Sequence, residues 1–174
     1  MKRKLACILA ALLLTALPLN AYADGTTTLT TTVPAASYTL NIPADMEIPF
    51  GQIETEIGTI TVSDADGFAA GKNLQVKLTY DEFTNDTVST TIPYELKFIS
   101  TDSEGSEVII QSGDNVYFEG QKDGSLKDVF YYKNSNNTTS RPSGELICKI
   151  TDWGKALAGE YSTTIIFTSE VVIR

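Results

Sequence analysis

The chain has 174 residues, with 22 Asp and Glu against 13 Lys and Arg, no histidine and two cysteines, for a formal net charge of −9. So acidic a chain repels nucleic acid and anionic membrane surfaces. Without histidine it cannot use Ser-His-Asp or Cys-His catalysis or a histidine-based zinc site, and no P-loop or G-x-G-x-x-G pattern supports nucleotide binding.

Residues 1–23 read as a signal peptide. Lys2, Arg3 and Lys4 precede an apolar run from Leu5 to Leu17, and Ala21-Tyr22-Ala23 forms an A-x-A site, placing cleavage before Asp24. The run is too short for a membrane-spanning helix, which needs roughly 20 apolar residues; the alternative is an uncleaved anchor. Cys7 precedes most of this run, which is not where a lipoprotein cysteine stands. The expected destination is secretion or the cell surface. Cleavage removes three basic residues and no acidic one, so the net charge falls from −9 to −12. Only Cys148 then remains, which rules out an internal disulfide.

Residues 24–35, rich in threonine, read as a flexible arm or an edge strand. Residues 36–174 read as one domain built from strands. SYTLNI puts Tyr38, Leu40 and Ile42 on one face, and GTITVS does the same with Ile60 and Val62. In NLQVKLTY, Leu74, Val76, Leu78 and Tyr80 oppose Gln75, Lys77 and Thr79. In IPYELKFI, Ile92, Tyr94, Leu96 and Phe98 oppose Glu95 and Lys97. EVII, NVYFEG and ELICKI supply shorter strands, separated by turn-forming SDADG, TNDT, TDSEGS, QSGDN and QKDGS. Such spacing predicts an all-β, antiparallel two-sheet sandwich.

Several residues carry candidate roles. Asp64 and Asp66 in SDADGF stand two apart before a glycine and are candidate calcium ligands, the alternative being an ordinary Asp-rich turn. An EF-hand is excluded because its twelfth position falls on Gln75. Phe130, Tyr131 and Tyr132 form a run that cannot all face one core, so at least one points outward and offers a ring for a sugar; the alternative is edge packing. Cys148 alternates with Leu146 and Ile150, which reads as a buried, inert thiol. Asp81 and Glu82 are acidic neighbours, but nothing marks a catalytic carboxylate pair, so no enzyme activity is expected.

TDWGKALAG predicts one short helical turn near residues 151–158, capped by Asp152 or Thr151 and stopped by Gly159. It leads into a long alternation in which Tyr161, Thr163, Ile165, Phe167, Ser169, Val171 and Ile173 share the core-facing side. LAGEY resembles the tyrosine corner of immunoglobulin-like sandwiches. The resemblance has Tyr161 pinning the turn, Gly159 allowing the bend and Trp153 covering the end of the core.

Residues 158–167, AGEYSTTIIF, resemble the closing pattern A-G-x-Y-[ST]-x-T-[IV]-x-[FV] of bacterial pilin-like and adhesin-like sandwich subunits. VPAASYTLNIP and an F-x-x-G-K at Phe68, Gly71 and Lys72 are similar to small secreted immunoglobulin-like proteins of bacteria. The chain departs from many assembled pilins in having no disulfide pair. The resemblance implies an immunoglobulin-like or pilin-like sandwich and a non-catalytic surface or secreted interaction protein, with a protein or a glycan at the cell surface as partner. Self-assembly by strand exchange is one expectation; a monomeric carbohydrate-binding module is the alternative. Neither requires a cofactor.

Overall fold

The computed structural model describes residues 30–31, 35–68, 71–100, 107–133 and 139–173. The signal peptide and most of the arm lie outside these residues; Thr30, Thr31 and Ala35 are exposed. Thirteen strands follow in order: β1 Ser37–Asn41, β2 Glu54–Thr59, β3 Thr61–Asp66, β4 Lys72–Thr79, β5 Phe83–Thr84, β6 Thr91–Ile92, β7 Tyr94–Ser100, β8 Glu107–Ile110, β9 Asn115–Gly120, β10 Leu126–Lys133, β11 Thr139–Ser140, β12 Pro142–Ile150 and β13 Ile166–Ile173. Among the described residues all pairings are antiparallel and no sheet closes into a barrel.

One main sheet runs β11-β10-β9-β4-β13 and the other β2-β12-β7-β8; β1 with β3 and β5 with β6 form two short ladders. The two main sheets face each other across a shared hydrophobic core in a sandwich-like arrangement. The five-stranded sheet contributes Leu74, Val76, Leu78, Val116, Phe118 and Phe130, each almost wholly buried. Leu96, Phe98, Ile110, Leu146, Cys148 and Ile150 meet them from the other side. Phe98 crosses the interface with its ring centre 5.0 Å from that of Phe130, which in turn lies 5.4 Å from Phe118. Edge-on and tilted rings of this kind satisfy the positive-edge, negative-face preference of aromatic pairs.

β2 and β3 form a nearly continuous run broken at buried Ile60, β2 pairing with β12 and β3 with β1. On β3 the register passes from Ser63 opposite Thr39 to Asp66 opposite Ser37, so one extra residue is accommodated. The bulge falls at Asp64, which has a φ of 52°. Short polar side chains tolerate this left-handed geometry better than most.

The short helical turn predicted near residues 151–158 does not form: no helix exists among the described residues. Asp152 Oδ1 accepts from the Gly154 amide at 2.7 Å, and one backbone bond, from the Ala156 amide to the Trp153 carbonyl at 3.0 Å, closes a single turn. Gly154, inside the expected turn, disfavours a helix by about 1 kcal/mol relative to alanine, and no second turn offsets it. Nor is any helix among the described residues long and apolar enough to cross a membrane.

Lys97 sits on the outer face of the four-stranded sheet yet is only 2% exposed. Ile147 and Ile109 stand opposite it on the flanking strands. Its ammonium reaches Glu54 at 2.7 Å and Glu107 at 2.5 Å, tying β7 to β2 and β8 across the sheet. Burial pulls the Lys97 pKa down, but the hydrogen bonds it donates to both carboxylates, together with their charge, outweigh that and hold it above the ordinary lysine value.

Two core-edge tyrosines make stability sensitive to base. Burial, then the hydrogen bond to Asp114 Oδ2 at 2.8 Å and its charge, push Tyr132 up to about 12. Burial pushes Tyr94 up to about 12 as well. The folded protein therefore keeps protons that the unfolded chain releases from pH 10 upward. The associated stability is complete below the ordinary tyrosine value of 10.0 and is lost as pH rises towards about 12. Urea midpoints should fall steeply over that window, and Tyr132→Phe should make the fall shallower. An unchanged slope in the variant would contradict the Tyr132 assignment.

Candidate functional site

β13 hydrogen-bonds to β4 on one side, in register from Ile166 opposite Thr79 to Ile173 opposite Lys72; no strand among the described residues pairs with its other edge. The alternation expected along it holds only in part. Tyr161, Thr163, Ile165, Phe167 and Ser169 are half-buried, but Val171 is 40% and Ile173 87% exposed. Alternation sets which side a residue faces and says nothing of whether anything covers it. Towards its end, the core-facing side of β13 lies open. Tyr38 of β1 reaches it once, through a hydroxyl contact with Ser169 Oγ at 3.0 Å.

Below that contact the flank is crossed by the irregular stretch between β1 and β2, residues 42–53. Ile48 packs against the core, while Ile42 and Met46 are 50%, Phe50 84% and Ile53 61% exposed. Among the described residues, no backbone hydrogen bond joins residues 42–48 to another element. Two adjoining grooves run along it. One, of about 280 Å³, has Ile57, Phe83, Tyr94 and Cys148 below and Ile165 and Phe167 at its side. The other, of about 760 Å³, continues past Phe50, Trp153, Leu157 and Tyr161. Asp45, Met46, Ile48, Phe83 and Thr163 line both.

The turn before β13 is fixed by polar contacts. Tyr161 Oη accepts from the Leu157 amide four residues upstream at 3.0 Å and contacts Thr90 Oγ1 at 2.7 Å. Ser162 exchanges two backbone hydrogen bonds with Thr84, at 2.8 and 2.9 Å. Gly159 has a φ of 151°, and a Cβ there would come within 2.3 Å of Asn85 Nδ2. The Trp153 indole donates to the Gln52 carbonyl at 3.1 Å and meets Phe50 edge-on at 5.1 Å, joining this turn to the crossing segment.

The aromatic run is divided by the strand. Phe130 is 1% and Tyr132 8% exposed, both turned into the core, so neither presents a face to a sugar. Of the three candidates Phe130, Tyr131 and Tyr132, the outward ring is Tyr131, and it is joined by Tyr117, which belongs to the same aromatic cluster a little upstream in the sequence. Their rings stack at 5.2 Å and 16° on the outer face of the five-stranded sheet. Asn73 Nδ2 donates to Tyr131 Oη at 3.1 Å. Register places Gln75 beside Tyr117 and Glu170 beside Gln75, with Gln75 Nε2 donating to Glu170 Oε1 at 2.8 Å.

The other candidates occupy separate places. Asp64 Oδ2 accepts from Ser63 Oγ at 3.2 Å and Asp66 Oδ1 from the Gly67 amide at 2.8 Å. No group of three or more His, Cys, Asp or Glu suited to a metal forms among the described residues. Cys148 is 3% exposed, and burial pushes its thiol up to about 11, which favours the unreactive protonated form. Glu82 Oε2, just before β5, accepts from Thr91 Oγ1 of β6 at 2.5 Å.

Tyr161→Phe deletes the acceptor of the Leu157 amide, and should lower stability by about 1 kcal/mol. Gly159→Ala should cost more, because the backbone geometry and the Asn85 approach both resist a side chain. Urea denaturation measures both, and the reverse ranking would contradict this description of the turn. Comparison with known proteins finds no matching family model, no similar curated protein and no similar solved structure.

Proposed function

We propose that this chain is an exported, non-catalytic surface or secreted interaction protein, an adhesin-like or pilin-like subunit on an immunoglobulin-like sandwich, which joins its neighbours by strand addition at β13. The observation that carries the reading is the edge of β13 that no described strand pairs with, and on which Val171 and Ile173 are exposed. A free edge of this length offers unpaired backbone donors and acceptors, and an added strand gains affinity from them while apolar side chains set its register. Natural sheets usually blunt such an edge with charge or proline; here Glu170 is the one charged residue between Ile166 and Ile173.

The donor in this reading is the threonine-rich arm of a second copy. From Thr26 to Val33 its alternate positions are Thr27, Leu29, Thr31 and Val33 against Thr26, Thr28, Thr30 and Thr32. That places both apolar residues on one face of an extended segment. A second reading, a monomeric carbohydrate-binding module, draws on the Tyr117–Tyr131 stack beside Gln75 and Glu170. It requires Tyr131→Ala to weaken glycan binding without altering the oligomer.

Native mass of the chain processed before Asp24, taken across a concentration series, tests the first reading. A ladder of multiples is expected. Leu29→Asp disables the donor and Val171→Lys the acceptor, so each alone should stay monomeric. Mixed together, they should form one-to-one dimers and nothing larger, because one intact donor meets one intact edge. A single monomeric species at every concentration would overturn strand addition. Assembly that survives Leu29→Asp would overturn the arm as donor.

A further inference from the structure

The larger groove differs in character from the edge of β13. Its apolar and aromatic lining includes Met46, Phe50, Trp153 and Leu157, and its acidic lining is Asp45, Glu47 and Glu160. None of its described lining residues is Lys or Arg. Among the described residues, none of the three carboxylates is paired with a basic side chain. Phe50 is 84%, Leu157 55% and Met46 50% exposed, so three large apolar side chains converge on one concave surface. Scattered apolar residues on a surface need no explanation, but a contiguous apolar concavity with a charged rim marks an interaction site.

The sign of that rim selects the occupant. A second copy of a chain carrying a net charge of −12 after export brings like charge to it, and the arm itself contributes Asp24 and no basic residue. Like charges across an interface cost affinity and slow encounter. We infer that this groove docks an extended segment of a different, basic protein, one in which Lys or Arg side chains alternate with large apolar ones. The apolar side chains would fill the space between Met46 and Leu157, while the cations lie along Asp45, Glu47 and Glu160. The indole of Trp153 and the ring of Phe50, set edge-on to each other, offer faces to a Lys or Arg that passes over them. This role does not depend on strand addition at β13.

Trp153 is the chain's single tryptophan, so its fluorescence reports on the groove directly. The test titrates the chain processed before Asp24 with a synthetic peptide alternating lysine with leucine and phenylalanine. A saturable fluorescence change is expected, and raising salt from about 50 to about 500 mM should weaken it about tenfold through screening of the rim. Glu47→Gln combined with Glu160→Gln should weaken it similarly and remove most of the salt dependence. Phe50→Ala should weaken it by a salt-independent route, with far-ultraviolet circular dichroism and native mass measured on the variant to show that the sandwich is intact. Three control peptides should fail to titrate: one with glutamate replacing lysine, one with serine replacing the apolar residues, and the arm sequence 24–35. The inference is overturned if the lysine peptide gives no titration, if the glutamine variants bind it unchanged, or if a control binds as tightly. Binding by the arm peptide would assign the groove to a second copy, and failure of the assembly test at β13 would leave this result unaffected.

Discussion

The constraint on which the rest turns is that, among the described residues, β13 has a hydrogen-bonded neighbour on one side only. β4 lies buried in the five-stranded sheet between β9 and β13, and its inward residues Leu74, Val76 and Leu78 are fully covered. β13 inherits that register but not that cover. From Phe167 to Ile173 the core-facing positions grade from half-buried to almost fully exposed. On the same flank, the connection between β1 and β2 crosses the opening as irregular chain. It places Ile48 against the core without supplying a hydrogen-bonded edge.

That arrangement separates what holds the domain together from what it presents. Cohesion resides in the Phe98, Phe118 and Phe130 cluster and in the cross-sheet grip of Lys97 on Glu54 and Glu107. A buried lysine held by two carboxylates is costly to disrupt on either side, because loss of the partners leaves an uncompensated charge. The Tyr161 turn connects the two regions: it fixes where β13 begins, and through Trp153 it also fixes the segment that walls the grooves.

Much of this was legible from side-chain periodicity. The alternations in β4 and β7 identify the inward faces, whereas three adjacent aromatics require only that the middle ring and its neighbours take opposite sides, and which side is inward is decided by the core that Phe130 joins. Other features depend on neighbours distant in sequence, and no local pattern reveals them. Lys97 reads as a solvent-side residue in IPYELKFI; its burial comes from Ile109, Ile147 and two glutamates on other strands. Tyr117 becomes the partner of Tyr131 only through the register of β9 with β10. The helical turn expected after Thr151 failed because its local propensity, interrupted by Gly154, was weaker than the single Asx contact and turn bond that replaced it. Val171 and Ile173 were assigned to the correct side of β13, but a one-dimensional pattern has no information on whether a facing layer reaches that far.

Amide hydrogen exchange along Ile166–Ile173 tests the central claim most directly. In a dilute solution of the chain processed before Asp24, amides directed at β4 should be protected, while those directed at the open edge exchange at nearly unprotected rates. At high concentration the second set should become protected as neighbours add to the edge. Full protection of both sets in the dilute monomer would mean that the edge is already covered within one chain. An open-edge set that stays unprotected at every concentration would mean that the edge takes no second copy. Either result would contradict the account.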